Sequence, residues 1–91
     1  MTSSIKQFDR HIESVIASLD ILDCFLNQPK MTIKDFIDVT GMTRNRISRI
    51  LGTLIHKGYV METMDSGVYT AGPKLMALGH VFRDNQNLVV L

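Results

Sequence analysis

The chain is poor in cysteine: its 91 residues include only Cys24. No internal disulfide can form, which excludes the stapled scaffolds of small secreted domains and fits a reducing compartment. Cys24 falls in an apolar, helically spaced stretch and reads as a small core residue, not a nucleophile. Long apolar runs are also lacking. No stretch nears the roughly 20 residues that cross a bilayer. The start, MTSSIKQFDRH, has no long apolar core behind a basic tip, as a signal peptide would. The expectation is a soluble, cytoplasmic protein with no membrane partner. Gly-rich phosphate loops, nucleophile elbows and paired carboxylates are missing, which argues against an enzyme. His11, His56 and His80 are scattered without ligand spacing, so neither a metal nor another cofactor is expected. Repeats and low-complexity tracts are missing too, and the length allows one small domain. So short a chain buries a limited core and gains from a partner.

Net charge is also small, at +1, but it is unevenly spread. Residues 1–43 hold four cations against six acids, a net of −2. Residues 44–60 hold Arg44, Arg46, Arg49 and Lys57 with no acid, a net of +4. Residues 61–91 hold Lys74 and Arg83 against three acids, a net of −1. Positive charge focused on one segment of a nearly neutral domain is the footprint of a polyanion partner.

Between Ile5 and Leu26 there is neither Gly nor Pro, and Ile5, Phe8, Ile12, Val15, Leu19, Leu22 and Leu26 recur at alternating spacings of three and four. That periodicity predicts a helix. Ser4 with Gln7 can cap its start, and Ser14 is a second candidate cap, with a break near Glu13. Ile16, Ile21 and Phe25 widen the apolar face beyond one seam. Such a surface calls for more than one neighbour, and a role in a dimer interface is expected beside its role in the core.

A connector at Asn27–Lys30 precedes Thr32 and Asp35, which read as the cap of a short helix over residues 33–39. Gly41 suits a left-handed helix end. Thr43 caps a third helix that runs to about Lys57 and stops at Gly58. The period then changes. Residues 59–63 and 68–70 read as two strands around the turn residues Met64–Gly67. Tyr59 and Tyr69 are expected to pack this hairpin on the core. Its tip has no Lys or Arg, so only a weak backbone contact or none is expected there. Pro73 opens a last helix carrying Leu75, Met76, Leu78, Val81 and Phe82. The six methionines read as adaptable core and interface filler. The abrupt apolar ending, NLVVL, reads as a cut within a longer protein. The fold expected is mainly α: a winged helix-turn-helix, with a three-helix core and a two-stranded wing, followed by a linker helix.

On a wheel of about 100° per residue, Ile47, Ile50, Leu51, Leu54 and Ile55 form the core face of the third helix. Asn45, Arg49, Gly52, Thr53 and His56 lie opposite, flanked by Arg46, Lys57 and Ser48. Arg44 sits in the first turn, where its long side chain can still reach outward. A helix about 10–12 Å across fits a major groove about 12 Å wide. Arg offers two donors to guanine O6 and N7, and Asn a donor and an acceptor to adenine. Asn45 and Arg49 are four apart and share a face, so they are the candidate base readers. Thr32, Thr43, Arg44, Arg46, Ser48, Thr53 and Lys57 are the candidate contacts to the DNA backbone. Gly52 reads either as a tolerated defect or as a point of close approach. The alternative to DNA is a winged helix used as a protein-interaction module, its basic face meeting an acidic partner.

Residues 14–79 resemble the N-terminal domain of the IclR family of bacterial transcriptional regulators. The matching pieces are SVIASLDIL (14–22), MTIKDFIDVTGMTRNRISRILGTLIHKGYV (31–60) and YTAGPKLMALG (69–79). Many winged helices share the middle piece's Leu-and-Gly-Tyr-Val pattern. A wing strand running into Gly-Pro-Lys-Leu and then Leu-Gly is more specific. The resemblance implies an N-terminal extension (1–13, expected helical), a DNA-binding domain (14–72) and a linker helix (73–91) leading to an effector-binding domain. No such domain fits in the residues that remain, so a small-molecule effector would act only through a part outside this chain. It also implies double-stranded operator DNA as partner, binding as a homodimer, and nucleoid association when bound. Arg49 matches an arginine common in the family. The family often has Pro where Thr43 stands, and small hydroxyl residues where Asn45 and Arg46 stand, so the roles of those two do not carry over.

Overall fold

The computed structural model of the protein describes residues 10–85. The expected cap at Ser4 and Gln7, the apolar Ile5 and Phe8, and the run NLVVL lie outside them. Helix α1 spans Glu13–Cys24. Its cap is Ile12, because the amides of Val15 and Ile16 both donate to the Ile12 carbonyl at 3.0 Å. Ser14 is therefore inside the first turn, not at the cap, and its carbonyl accepts from the Ser18 hydroxyl at 2.8 Å. Residues 10–12 are not helical. At the other end the chain leaves the helix two residues before Leu26.

Strand β1, Met31–Thr32, follows, then α2, Ile33–Thr40, and α3, Arg44–Lys57. The cap of α2 is the expected one. The Thr32 hydroxyl accepts from the Asp35 amide at 3.2 Å, and the Asp35 carboxylate accepts from the Thr32 amide at 2.9 Å, so two of the helix's unpaired donors are satisfied reciprocally. Helix α2 ends at Gly41, whose φ of 74° is the left-handed conformation that glycine adopts without a Cβ clash. That reversal brings the chain within two residues of the next cap, Thr43. Strands β2, Val60–Glu62, and β3, Val68–Ala71, form the wing, and α4 covers Pro73–Asp84.

The sheet has three antiparallel strands in the order β1-β3-β2, one more than expected. Met31 pairs with Tyr69 and Thr32 with Val68. Two residues are too few for strand periodicity to register, and β1 exists only because β3 lies alongside it. The wing is thereby tied to the start of α2.

The core gathers Ile21, Cys24, Met31, Phe36, Ile47, Leu51, Leu54 and Val60, with Tyr59 and Tyr69 packed against it as expected. Phe25 meets Phe36 edge to face at 5.7 Å. Burial, with Asp20 and Asp23 nearby, pushes the Cys24 thiol pKa up. Cys24 is thus a poor nucleophile and a core residue.

Two apolar faces depart from expectation. Helix α1 packs through Ala17, Ile21 and Cys24, while Ile12 (64%), Val15 (50%), Leu19 (52%) and Leu26 (81%) are exposed. The small Ala17 and Cys24 let the helix sit close to its neighbours, and the seam with the larger side chains is turned outward. On α3, Ile55 is 39% exposed, because Ile47, Leu51 and Leu54 already fill the space beneath the helix.

Gly72 docks α4 onto the turn between α3 and β2. A Cβ there would lie 2.5 Å from the Gly58 carbonyl oxygen and 2.8 Å from the Val60 nitrogen. Its amide donates to the Tyr59 carbonyl at 2.9 Å, and the Lys74 amide to the Gly58 carbonyl at 3.0 Å. The Lys74 ammonium lies 5.7 Å from the Tyr59 ring centroid, within cation–π range. The Gly-Pro-Lys run is thus a structural joint. Beyond it, Met76, Leu78, Val81 and Phe82 of α4 are exposed.

Candidate nucleic-acid interface

Helix α3 is held from below and free above. Ile47, Leu51 and Leu54 are buried, while Arg44, Asn45, Arg46, Ser48, Arg49, Gly52, Thr53, His56 and Lys57 are exposed. Asn45, Arg49, Gly52 and His56, at spacings of four, three and four, form one outward stripe. Arg46 and Lys57 lie on one edge of it and Ser48 on the other. His56, which is not among the expected contacts, stands on the same stripe as the candidate base readers.

Among the described residues no carboxylate pairs with an α3 cation. Among the described residues the ion pairs are Lys34–Asp38 at 3.4 Å and His80–Asp84 at 3.2 Å, both on other helices. The first turn of α3 contains no acid. Four exposed cations without a carboxylate partner among the described residues thus share α3 with its helix N-terminus, an arrangement that attracts phosphate.

The candidate hydroxyls differ in what they can still donate. Thr43 accepts from the Arg46 amide at 3.2 Å, and Thr32 accepts from Asp35 as described. Each keeps its own proton for an outside acceptor. Thr53 donates to the Arg49 carbonyl at 3.1 Å, so its proton is turned into the helix. Thr32 belongs to another element, at the start of α2, and is half-buried. The Asp35 carboxyl pKa is lowered, first by the Thr32 backbone amide and further by Gln28 and Lys34.

Beside the outward stripe an open groove of about 810 Å³ runs between α1 and α3. Val15, Leu19, Leu22, Ile50 and Leu54 give it apolar walls, and Arg46, Arg49 and His56 also line it. The wing tip carries no cation. The Gly67 amide donates to Glu62 Oε2 at 2.6 Å and the Thr63 amide to the Val68 carbonyl at 2.7 Å, which closes the turn tightly. Among the described residues no helix is long and apolar enough to cross a membrane.

Residues 14–63 match the family model for the IclR helix-turn-helix domain. The chain belongs to the IclR family. It is similar to two curated regulators. The HTH-type transcriptional regulator KipR of Bacillus subtilis (strain 168) is 25% identical over 76 residues, 84% of this chain and 30% of KipR. The HTH-type transcriptional regulator XynR of Escherichia coli (strain K12) is 34% identical over 70 residues, 76% of this chain and 28% of XynR. The chain thus spans less than a third of either relative. The fold matches an IclR family transcriptional regulator from Brucella abortus, with a TM-score of 0.72 at 23% identity over 81% of this chain and 28% of that one. Pseudomonas aeruginosa HmgR gives a TM-score of 0.72 at 22% identity, over 80% of this chain and 30% of that one. This IclR chain is a helix-turn-helix DNA-binding domain of the transcriptional-regulator type, with four helices and a three-stranded antiparallel sheet among its described residues.

Proposed function

We propose that α3 lies in the major groove of operator DNA, with Asn45 and Arg49 at base edges and Thr32, Thr43, Arg44, Arg46, Ser48, Thr53 and Lys57 along the sugar–phosphate backbone. The observation that carries this reading is the exposed, acid-free face of α3, with Asn45 and Arg49 on one stripe. Thr53 contributes there as an acceptor or after its hydroxyl rotates. Residues 14–72 act as the DNA-binding domain and 73–91 as the link to an effector domain outside this chain, in a cytoplasmic regulator.

The active species is a homodimer. The outward seam Ile12–Val15–Leu19 on α1 and the exposed apolar residues of α4 support this, because water-facing seams of this kind on a small domain mark association surfaces. A two-fold dimer sets two recognition helices about 34 Å apart, or a multiple of that, on a palindromic site.

The test is a fluorescence-anisotropy titration of the protein against duplexes from upstream of its own coding sequence, across a salt series. Phosphate contacts require the logarithm of affinity to fall linearly with the logarithm of salt. Salt-insensitive or negligible DNA binding, together with specific capture of an acidic protein, would transfer the basic face to the protein-interaction reading.

A further inference from the structure

We propose that Gly52 is a specificity-determining position: bare backbone in the middle of the outward stripe lets the DNA seat closer to α3, between Arg49 and His56, than any side chain allows. This rests on the reading of α3 as the DNA-facing helix.

Gly52 is the ninth of the fourteen residues of α3, well inside the helix, where glycine is the least favourable residue other than proline. Three ordinary reasons for a glycine fail here. The φ of Gly52 is not positive, unlike those of Gly41, Gly58 and Gly67. It is not a helix cap, a role filled by Thr43 and Gly58. Among the described residues nothing outside its own helix crowds it, since a Cβ at Gly52 would meet none of their atoms within 4 Å. The contrast is Gly72, where a Cβ would strike the Gly58 and Val60 backbone. None of the described residues accounts for the missing side chain at 52, and the bare backbone is exposed on the stripe read as meeting DNA.

On that stripe the neighbour is DNA. Gly52 follows Arg49 by three residues and precedes His56 by four, which sets it about 4.5 Å past one and 6 Å before the other along the helix axis. A helix about 10–12 Å wide in a groove about 12 Å wide has little clearance. A bare spot on the inserted face lets the helix sink toward the base edges and shortens the reach that Arg49 needs to guanine.

Gly52→Ala tests this, because its effects on stability and on binding are expected to have opposite signs. The variant should melt about 4–8 °C higher, as an alanine inside a helix of a domain this size implies. It should keep its affinity for random-sequence duplex and lose at least tenfold in affinity for the specific upstream duplex. A Gly52→Ala protein that binds the specific duplex as tightly as the unaltered protein overturns the inference. So does an equal loss on random and specific DNA, or a change in sedimented mass, which would assign the space to a second copy of the chain. If the unaltered protein prefers no duplex at all, the underlying reading of α3 fails and this inference with it; in the other cases Arg49→Ala still weakens binding and the underlying reading stands.

Discussion

Arg49 and Lys57 are both exposed cations on α3, but they stand at different angles to the outward stripe. Arg49 is on it, and Lys57 is at its edge. Arg49→Ala should therefore weaken operator binding by about 1–3 kcal/mol and relax preference at one base pair. Lys57→Ala should weaken all duplexes alike and reduce the salt slope by about one. Anisotropy titrations on a panel of single-base variants separate the two; equal behaviour of the two proteins would remove the distinction. Gly72 makes a different residue-scale demand. Alanine there must displace the Gly58–Val60 backbone, and overpacking of this kind costs about 1–3 kcal/mol. Gly72→Ala should lower the denaturant midpoint, and the loss should appear as detachment of α4 from the wing. The Gly-Pro-Lys run has room only for glycine at its first position, and only the three-dimensional approach of Gly58 to Gly72 makes that visible.

At the scale of elements, α2 depends on its capping box. Thr32→Ala should cost about 1 kcal/mol of unfolding free energy. The box also makes stability pH-dependent. The folded Asp35 pKa is lowered, so its contribution is fully present above about pH 4, the ordinary aspartate value. It is lost as pH falls through the lowered value, where both folded and unfolded states are protonated. Urea titrations of the unaltered protein and Asp35→Ala should therefore differ near neutrality and converge on acidification. A constant gap would show that the carboxylate's charge is not what holds the cap. Helix α1 makes the opposite point about periodicity. Its pattern of threes and fours was legible, but of that stripe Ile12, Val15, Leu19 and Leu26 are exposed and only Leu22 packs on the core, beside Ala17, Ile21 and Cys24. A double variant, Val15→Ser with Leu19→Ser, should leave the thermal midpoint within a few degrees, since surface changes lie within about 0.5 kcal/mol. The proposed dimer, measured by sedimentation, should dissociate in this variant. If the variant unfolds instead, the seam belongs to the fold and not to association.

For the whole molecule, the nearly neutral charge conceals a polarised domain. Helix α3 carries the excess positive charge, and the remaining segments carry a compensating negative excess. Binding should consequently be steered to one face and fall steeply with salt. The caps and ends of α2 and α3, unlike those of α1, and the charged run could be read from sequence because each depends on neighbours within four residues. Thr32, Gly41, Thr43, Gly58 and Pro73 all stand where local chemistry puts them. The outward position of Asn45 and Arg49 followed from helical geometry alone. What only the tertiary structure decided depends on distant contacts. These are the third strand at Met31–Thr32, the side of α1 that is buried, the exposure of Ile55, the groove between α1 and α3, and the lack of any described neighbour around Gly52. In each case the outcome is set by which surfaces meet in space, and one-dimensional spacing carries no information about that.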